Sequence, residues 1–347
     1  MNHKNETNQK KQISRGDFIK TLGLGLAGGV ILSGCKKDDD SNNDLLDGEV
    51  QIKATPATDN TILFYTAAEK ITIDWGDSSI DEYTPNGVEK RFTHEYPNRN
   101  LQTVSFVAEA MTKFSYNGDP NYGFSLGKGT LREIRFGKCT ELKEISCGKQ
   151  LLTVFDIENT FASLESLTCD QNLLTSLEVS GASKLKTLYC KNIGLTELNV
   201  NKNTALTVLN CAGNQLTHLD LSKNTELTYL DCYSNELTLL DLSKNTELTS
   251  LNCENNLLSQ LDMNKNTALW YLDCSSNQLT QLNVSGCMAF SSLDCRGNLL
   301  SESALNALFE SLPDRTGIAI AYITFHENPG TVSCDRSIYE KKNWDII

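Results

Sequence analysis

Apolar residues recur along a large part of the chain at an interval of 21 residues. One unit shows the pattern, with apolar side chains at Leu227, Leu230, Cys232, Leu237, Leu240 and Leu242. Its Leu230-Asp231-Cys232 segment alternates apolar and polar side chains, as a short half-buried strand does. A period of this length predicts a solenoid, because each repeat can bury its apolar face only against its neighbours.

The regular units follow one another without a break over nearly half of the chain. Eight of them begin at Leu142, Leu164, Leu185, Leu206, Leu227, Leu248, Leu269 and Phe290. An irregular earlier unit has Met111, Phe114 and Tyr116 at the same offsets, and an insertion before Leu131, Ile134 and Phe136. The pattern L-x-x-L-x-C-x-x-N-x-L-x-x-L-x-L-x-x-N is that of a leucine-rich repeat. We predict a mainly β leucine-rich-repeat solenoid of about nine coils over residues 111–300.

Fixed polar positions complete the unit. An asparagine follows the strand in successive coils, at Asn214, Asn235, Asn256, Asn277 and Asn298. We expect these side chains to form a buried ladder that satisfies backbone groups of the turns. The Leu240-Asp241-Leu242 segment alternates in the same way as the strand, so the opposite face carries either a second row of short strands or extended turns.

The 12 cysteines are many for a chain of this length. Eight of them occupy one slot of the repeat, at Cys147, Cys169, Cys190, Cys211, Cys232, Cys253, Cys274 and Cys295. Neighbouring parallel strands place their Cβ atoms about 4.8 Å apart, which exceeds the about 3.8 Å of a disulfide. Zinc needs converging ligands, and a row does not converge. Buried free thiols are therefore favoured over disulfides and over metal ligands. Cys139 and Cys287 occupy the position in their coils that Asn245 occupies in its own. The state of Cys334 stays open.

The 21-residue repeat with its cysteine ladder resembles the internalin family of bacterial surface proteins. That resemblance covers residues 111–300 and implies a binding surface outside the cell. The chain departs from the family in its N-terminus and in the module that precedes the repeats, so the resemblance does not specify a receptor.

The N-terminus has the features of an export signal. Residues 1–20 are polar and basic, an apolar stretch runs over 22–32, and Leu32-Ser33-Gly34-Cys35 resembles a lipoprotein lipobox. We predict a signal peptide over 1–34, lipidation at Cys35 and an acidic tether over 35–48 that resembles a surface-export signal of Bacteroidota-type lipoproteins. The segment 14–20 is similar to a twin-arginine signal with one arginine replaced, which leaves the export route open.

Residues 49–110 show short alternating segments separated by turn residues, which predicts a β-sandwich. Asp74-Trp75-Gly76-Asp77-Ser78 and His94-Glu95-Tyr96 resemble the signature of PKD-like, immunoglobulin-type modules. We expect Trp75 in the core, a tight turn at Gly76-Asp77, a structural role for His94, and a spacer function for the module.

Residues 301–347 are predicted to cap the solenoid. Ser301 is a candidate N-cap for a helix that presents Leu305, Leu308, Phe309 and Leu312 on one face before Pro313. A strand over 318–325 and a second helix over 335–342 would cover the remaining open end.

The balance of charge is acidic, with 31 Lys and Arg against 44 Asp and Glu, and signal removal makes it −16. A nucleic-acid-binding protein normally has a basic patch, so we expect no nucleic-acid partner. Only four histidines are present, and the repeat has no nucleophile–base pairing, so we predict no enzyme activity, no cofactor and no catalytic or metal-ligating residue.

Outward strand positions carry the candidate ligand site, which comprises Tyr189, Tyr229, Asp231, Tyr233, Trp270, Tyr271, Asp273 and Asp294. Exposed aromatic rings stack on sugars or anchor protein partners, although tyrosine also simply suits strands. The aspartates could hold Ca²⁺, or they are solvated surface charge.

These features predict a non-enzymatic surface lipoprotein of the outer membrane or cell surface, extracellular or periplasm-facing. It would be a monomer that is held at the membrane by its lipid and binds a protein or glycan through the concave face of the repeat. The alternative is a structural or accessory subunit of a cell-envelope assembly.

Overall fold

The computed structural model describes residues 11–12, 49–56, 61–116, 130–137, 139–156 and 161–346. The chain divides into two compact units, Met1–Leu164 and Glu165–Ile347. Apart from Lys11 and Gln12, the predicted signal peptide, the lipidation site Cys35 and the acidic tether lie outside the described residues. The two units are described separately below.

The first unit is built from two β-sheets. Its strands are β1 (Lys11–Gln12), β2 (Glu49–Thr55), β3 (Thr61–Ala67), β4 (Lys70–Asp74), β5 (Ile80–Tyr83), β6 (Glu89–Glu95), β7 (Gln102–Glu109), β8 (Lys113–Ser115), β9 (Thr130–Phe136), β10 (Glu144–Ser146) and β11 (Val154–Asp156). One sheet has the order β1-β5-β4-β7-β2-β9-β11, and the other has β6-β3-β8-β10.

Aromatic side chains pack the two sheets together. Phe64 of β3 stacks on Phe106 of β7 with ring centroids 5.0 Å apart, and it lies 5.9 Å from Trp75. Phe114 of β8 meets Phe136 of β9 edge to face at 5.8 Å. Large rings bury much apolar area each, so these pairs define the core of a sandwich.

The turn after β4 has the features expected of the Trp75-Gly76-Asp77 segment. Trp75 is fully buried, and its indole N–H donates to Asp81 at 2.9 Å. Gly76 has a φ of +84°, and a Cβ there would lie 2.2 Å from the carbonyl oxygen of Thr103. Only glycine fits this position. The family relationship of the module stays a prediction.

The sandwich and the first coil share hydrogen-bonded sheets, and the spacer function of the module stays a prediction. β8 is parallel to β10, as successive coil strands are, and is antiparallel to β3 of the sandwich. β9 is parallel to β11 and antiparallel to β2. The sandwich therefore covers the apolar end of the coils in this unit and acts as their cap.

The second unit is a parallel solenoid with one strand per coil. The strands are β12 (Ser166–Thr168), β13 (Thr187–Tyr189), β14 (Val208–Asn210), β15 (Tyr229–Asp231), β16 (Ser250–Asn252), β17 (Tyr271–Asp273), β18 (Ser292–Asp294), β19 (Ala321–Thr324) and β20 (Trp344–Ile346). They pair in this order, every pair parallel and in register. The predicted mainly β leucine-rich-repeat solenoid is confirmed.

The opposite side of the second unit consists of extended turns. Within its described residues, one isolated bridge, Asp262 to Asn283, joins neighbouring coils there. The first unit differs, because β9 and β11 form a strand pair at the corresponding offsets. Of the two possibilities left open by the alternating pattern, turns apply to the second unit and strands to the first.

The C-terminal segment folds as a cap with shorter elements than expected. Helix α1 (Glu302–Ser311) starts at the N-cap Ser301, whose hydroxyl accepts from the Ala304 N–H at 3.2 Å. β19 begins only at Ala321, because Gly317, at a φ of +78°, belongs to a turn that precedes it. Helix α2 (Ser337–Glu340) is a single turn. In the described part of the chain, neither helix has the length and apolar character needed to cross a bilayer.

Candidate functional site

Each coil of the second unit buries the leucine and the cysteine of its strand segment, and the side chains between and beside them point to the opposite side of the sheet. In β15 and just after it, Leu230 and Cys232 are fully buried, whereas Tyr229 and Tyr233 are partly exposed. The strands are in register, so equivalent outward positions line up into rows across the sheet. We call the surface formed by the outward side chains of β12–β19 and the residues flanking these strands the sheet face.

The predicted asparagine ladder supports this face from below. The Asn235 Nδ2 donates to the carbonyls of Cys211 at 3.1 Å and Cys232 at 3.0 Å. Its Oδ1 accepts from the Leu216 N–H at 3.0 Å. Equivalent bonds are made by Asn214, Asn256, Asn277, Asn298 and, in the cap, Asn328. The ladder is confirmed, and it satisfies turn groups that burial would otherwise leave unpaired.

The predicted cysteine ladder is also confirmed. All eleven described cysteines are free, and all but Cys334 are buried. Burial raises the pKa of the Cys211 thiol to about 12 and also raises that of Cys253. Cys287 takes the place of a turn asparagine, and its thiol donates to the Met263 carbonyl at 3.5 Å. At the equivalent position one coil earlier, the Asn266 amide donates to the Leu242 carbonyl at 3.1 Å. The ladder thiols are therefore neutral packing groups rather than nucleophiles.

One row of the sheet face alternates tyrosine with serine. The strand registers place Tyr229, Ser250, Tyr271, Ser292 and Tyr322 opposite one another in sequence. We call this the tyrosine row. Trp270, which is 49% exposed, lies beside it with its ring centroid 5.8 Å from that of Tyr271. Aromatic rings are therefore presented at every second strand.

The neighbouring row carries the aspartates. Asp231, Asn252, Asp273 and Asp294 occupy successive strands, and we call them the carboxylate row. Asp231 is 7% exposed and Asp273 is 8% exposed. Burial raises the pKa of Asp231 and Asp294, and the charge of Asp273 adds to both shifts. Burial, and then the nearby Asp273 and Asp294, raise the pKa of Tyr271 to about 12. The centre of the sheet face is therefore acidic.

A third row shows how this surface holds a cation. Lys191 lies two coils before Tyr233, with the small Ala212 between them. The ammonium of Lys191 lies over the Tyr233 ring, 4.5 Å from its centroid. Burial raises the pKa of Asp231, and the nearby charge of Lys191 partly opposes that shift. A lysine is thus held by a tyrosine face beside a carboxylate.

The structure brings the predicted ligand residues together on one face. Tyr229 and Tyr271 belong to the tyrosine row, and Asp231, Asp273 and Asp294 belong to the carboxylate row. Tyr189 lies two strands before Asp231, at the strand position that the carboxylate row occupies in later coils. The structure adds Tyr322, which is 42% exposed and which the sequence analysis assigned only to the cap. Its signal was present, since Tyr322-Ile323-Thr324-Phe325-x-x-Asn328 has the offsets of Tyr229-Leu230-Asp231-Cys232-x-x-Asn235.

Calcium was the alternative use of the carboxylates. Within the described residues, no group of three or more His, Cys, Asp or Glu side chains is arranged to hold a metal ion. The Asp273 Oδ1 instead accepts from the Ser275 N–H at 3.0 Å and from its hydroxyl at 2.6 Å. The Asp231 Oδ2 accepts from the Asn210 amide at 2.9 Å. These oxygens are oriented by the protein's own donors.

We expect the change Asp273→Asn to lower the pKa of both Asp231 and Asp294, because it removes a negative charge that raises both. Burial remains, so neither pKa should return fully to its usual value. Because the folded state raises the pKa of these carboxyl groups, it binds their protons more tightly than the unfolded chain does. The free energy of unfolding therefore falls as the pH rises from about 3.8 through the folded-state pKa. The variant should therefore lose less stability across that interval.

Carboxyl NMR titrations and urea unfolding at several pH values measure the two effects. The matched control is Asp241→Asn, at an exposed position on the opposite turn, which should change neither pKa. Unchanged values for both aspartates in the Asp273 variant would contradict the shared repulsion.

His94 in the first unit has a different kind of surrounding. Its Nε2 lies 2.7 Å from Asp77 Oδ2 and 3.4 Å from Ser79 Oγ. The ring stacks on Trp75 at 5.0 Å. A catalytic relay requires the acid and the nucleophile on opposite ring nitrogens, whereas both contact the same nitrogen here. The contacts of His94 instead hold the turn and cover Trp75.

Comparison with solved structures finds leucine-rich-repeat proteins. The functional domain of InlJ from Listeria monocytogenes, described as including a cysteine ladder, shares 29% identity over 60% of this chain and 55% of its own, with a TM-score of 0.45. The internalin InlF from the same species shares 18% identity over 60% of this chain and 67% of its own, with a TM-score of 0.47. A leucine-rich-repeat protein of Leptospira interrogans shares 16% identity over 60% of this chain and 79% of its own, with a TM-score of 0.35.

No protein-family model matches the chain, and no curated protein matches it. The structural neighbours include internalins and other leucine-rich-repeat proteins. The chain spans about half the length of the InlJ structure. The lipoprotein signal and the PKD-like relationship stay predictions.

Proposed function

We propose that this chain is a non-enzymatic lipoprotein of the outer membrane or cell surface that binds a protein or glycan through its sheet face. The observation that supports this is the tyrosine row beside the carboxylate row, with the partly exposed ring of Trp270 next to it. Large rings supply contact area, and adjacent polar groups orient a ligand. Such a combination on one surface is typical of recognition rather than of solvation alone.

The rigidity of the scaffold favours the same function. The outward side chains stand on strands that are fixed by the asparagine ladder and by tight packing around the buried thiols. A surface that is already ordered loses little conformational entropy when a ligand binds. The binding groups are therefore preorganised on regular structure rather than on loops.

Attachment to the membrane is part of the proposal. The lipobox-like segment before Cys35 would supply the lipid, and the acidic residues that follow would form a solvated tether. A net negative chain is not drawn to anionic headgroups, so the lipid anchor would hold it. Labelling of cells with a radioactive fatty acid tests this part, and a Cys35→Ala variant that retains the label would contradict it.

A structural or accessory role in an envelope assembly is the alternative. It is supported by the exposed leucines that directly follow the ladder asparagines, namely Leu173, Leu257 and Leu299. These side chains lie on a turn and not among the strand residues of the sheet face. Pull-down from crosslinked cells distinguishes the two roles, because a stoichiometric envelope partner that is lost on replacing these leucines favours the alternative.

Replacing Tyr229, Tyr233 and Tyr271 together with alanine is expected to abolish ligand binding while changing the melting temperature little. The rings are only partly buried, so their removal costs little core packing. A glycan-array and mucin screen on residues 49–347 identifies the ligand, and titration of the variant measures the loss.

The matched control replaces two exposed apolar residues away from the tyrosine row, Leu239 and Met288, with alanine. It should bind as the unchanged protein does. If the triple tyrosine variant binds a screened ligand with unchanged affinity, the sheet face is not the binding surface.

A further inference from the structure

The alternation of the tyrosine row creates two equivalent gaps. Ser250 separates Tyr229 from Tyr271, and Ser292 separates Tyr271 from Tyr322. We call the space above Ser250 slot 1 and the space above Ser292 slot 2. Successive strands lie about 4.8 Å apart, so the flanking tyrosines of each slot are about 9.6 Å apart at the backbone.

This spacing suits a cation seated between two rings. At this backbone spacing, a charge midway in a slot is about 4.8 Å from the strand of either tyrosine, which is compatible with the about 6 Å from a ring centroid over which cation–π attraction acts. The serine floor leaves the space open, because its side chain is short. A planar guanidinium can also stack on both aromatic faces at once.

The carboxylate row supplies the complementary charge. Asp231 and Asp273 lie on the two strands that border slot 1, and Asp294 lies on the strand of slot 2. Asp294 pairs with Arg296 at 3.3 Å. Within the described residues the Asp273 carboxylate has no ion pair, and its hydrogen bonds come from Ser275. A neutral sugar would leave the repulsion between these carboxylates in place, and a bound cation would relieve it.

The protein already contains one such contact. Lys191 reaches across the small Ala212 to lie over the Tyr233 ring at 4.5 Å, near Asp231. The slots repeat this geometry, with a serine in place of Ala212 and a tyrosine on either side. Within the described residues, however, no cation–π contact made by the protein occupies either slot.

We propose that the sheet face binds an extended cationic peptide segment whose arginine or lysine side chains enter slots 1 and 2. Slot centres are two strands apart, about 9.6 Å. A polyproline II segment advances about 9.3 Å every three residues and presents residues i and i+3 on the same side. The preferred sequence is therefore basic-x-x-basic in a proline-rich context. This inference rests on the proposed binding function and names the ligand class of the same surface.

Fluorescence anisotropy with synthetic peptides tests the proposal on the full mature chain. The probe is a labelled proline-rich peptide with two arginines three residues apart, and its matched control has glutamine at both positions. Loss of both charges should weaken binding at least about 30-fold, since each cation–π contact is expected to strengthen binding about five- to sixfold and the two effects multiply. Moving the arginines to i, i+2 or i, i+4 should weaken it about tenfold.

Variants of the protein locate the site. Ser250→Arg places the protein's own guanidinium in slot 1 and should abolish peptide binding. The matched control is Ser259→Arg, at an exposed turn position of the same coil away from the sheet face, which should leave binding unchanged. Neither change touches a core position, because Ser250 faces outward and Ser259 is exposed. Raising the salt concentration should lower the affinity for the arginine peptide much more than the affinity for the glutamine peptide.

The outcomes separate the two proposals. Equal affinity for the arginine and glutamine peptides, or full binding by the Ser250→Arg variant, overturns the cationic-peptide inference. A neutral glycan that binds in a tyrosine-dependent manner, with no binding of the arginine peptide, also overturns it but leaves the proposed function standing. If neither class of ligand binds in a tyrosine-dependent manner, both proposals fail.

Discussion

Replacing Asn256 with alanine is expected to lower the free energy of unfolding of the repeat unit by about 2–4 kcal/mol. The Asn256 Nδ2 donates to the carbonyls of Cys232 at 3.1 Å and Cys253 at 3.2 Å. Its Oδ1 accepts from the Leu237 N–H at 3.0 Å. The Leu237 N–H would be left without a partner, at about 1–3 kcal/mol. The two carbonyls would each lose one of two donors, because Asn235 still donates to Cys232 and Asn277 still donates to Cys253.

Urea unfolding followed by circular dichroism measures this loss. Asn264→Ala is the matched control, because Asn264 is exposed in the same coil, and it should stay within about 0.5 kcal/mol of the parent. A solenoid can unfold in parts, so the shift of the midpoint should be compared together with the slope. A loss below about 1 kcal/mol would show that water replaces the ladder contacts.

The second large effect concerns the thiols. In the native protein, Cys334 should react with a thiol reagent, while the ten buried cysteines between Cys139 and Cys295 should react at least about a thousandfold more slowly. Reaction needs a thiolate, and burial disfavours it, as the pKa of about 12 at Cys211 shows. Access also requires the coils to open.

Mass spectrometry of maleimide-labelled protein, before and after denaturation without reductant, counts the modified sites. Cys334→Ser should remove the fast native reaction and leave the slow sites unchanged. Fewer than about eight labelled thiols after denaturation would mean that disulfides form within the ladder and would overturn the assignment of free cysteines.

Much of the solenoid could be predicted because each fixed residue has a single physical role. Leu230 and Cys232 alternate with outward residues, which gives the strand, and Asn235 follows where the turn needs donors and an acceptor. The same offsets recur in successive coils, so chance matches are excluded. The rows on the sheet face follow from this register, since outward positions repeat with the strands.

The features that were missed lie where the 21-residue interval breaks. Ser292 and Tyr322 face each other across 30 residues rather than 21, because helix α1 is inserted between their strands. The tyrosine row therefore extends into the cap without a periodic signal. The joining of the sandwich to the first coil was also missed, since antiparallel pairing of β3 with β8 involves residues that no repeat relates.

The local electrostatics could be predicted least. The sequence shows that aspartates recur at an outward position, but it does not show that Asp231 and Asp273 are nearly buried. Nor does it show that Lys191 reaches across a small residue to a tyrosine two coils away. Such contacts depend on side-chain length and on the residue in the intervening coil.

The position of β2 has a mechanical consequence. This strand is paired on both sides, with β7 from Glu49 to Ala54 and with β9 from Val50 to Thr55. A load that enters the chain ahead of Glu49 and runs along β2 is resisted in shear by two rows of backbone hydrogen bonds at once. An edge strand such as β6 would instead peel away one bond at a time. β2 therefore resists being pulled out of its sheet, and under tension the coil strand β9 bears part of the force directly.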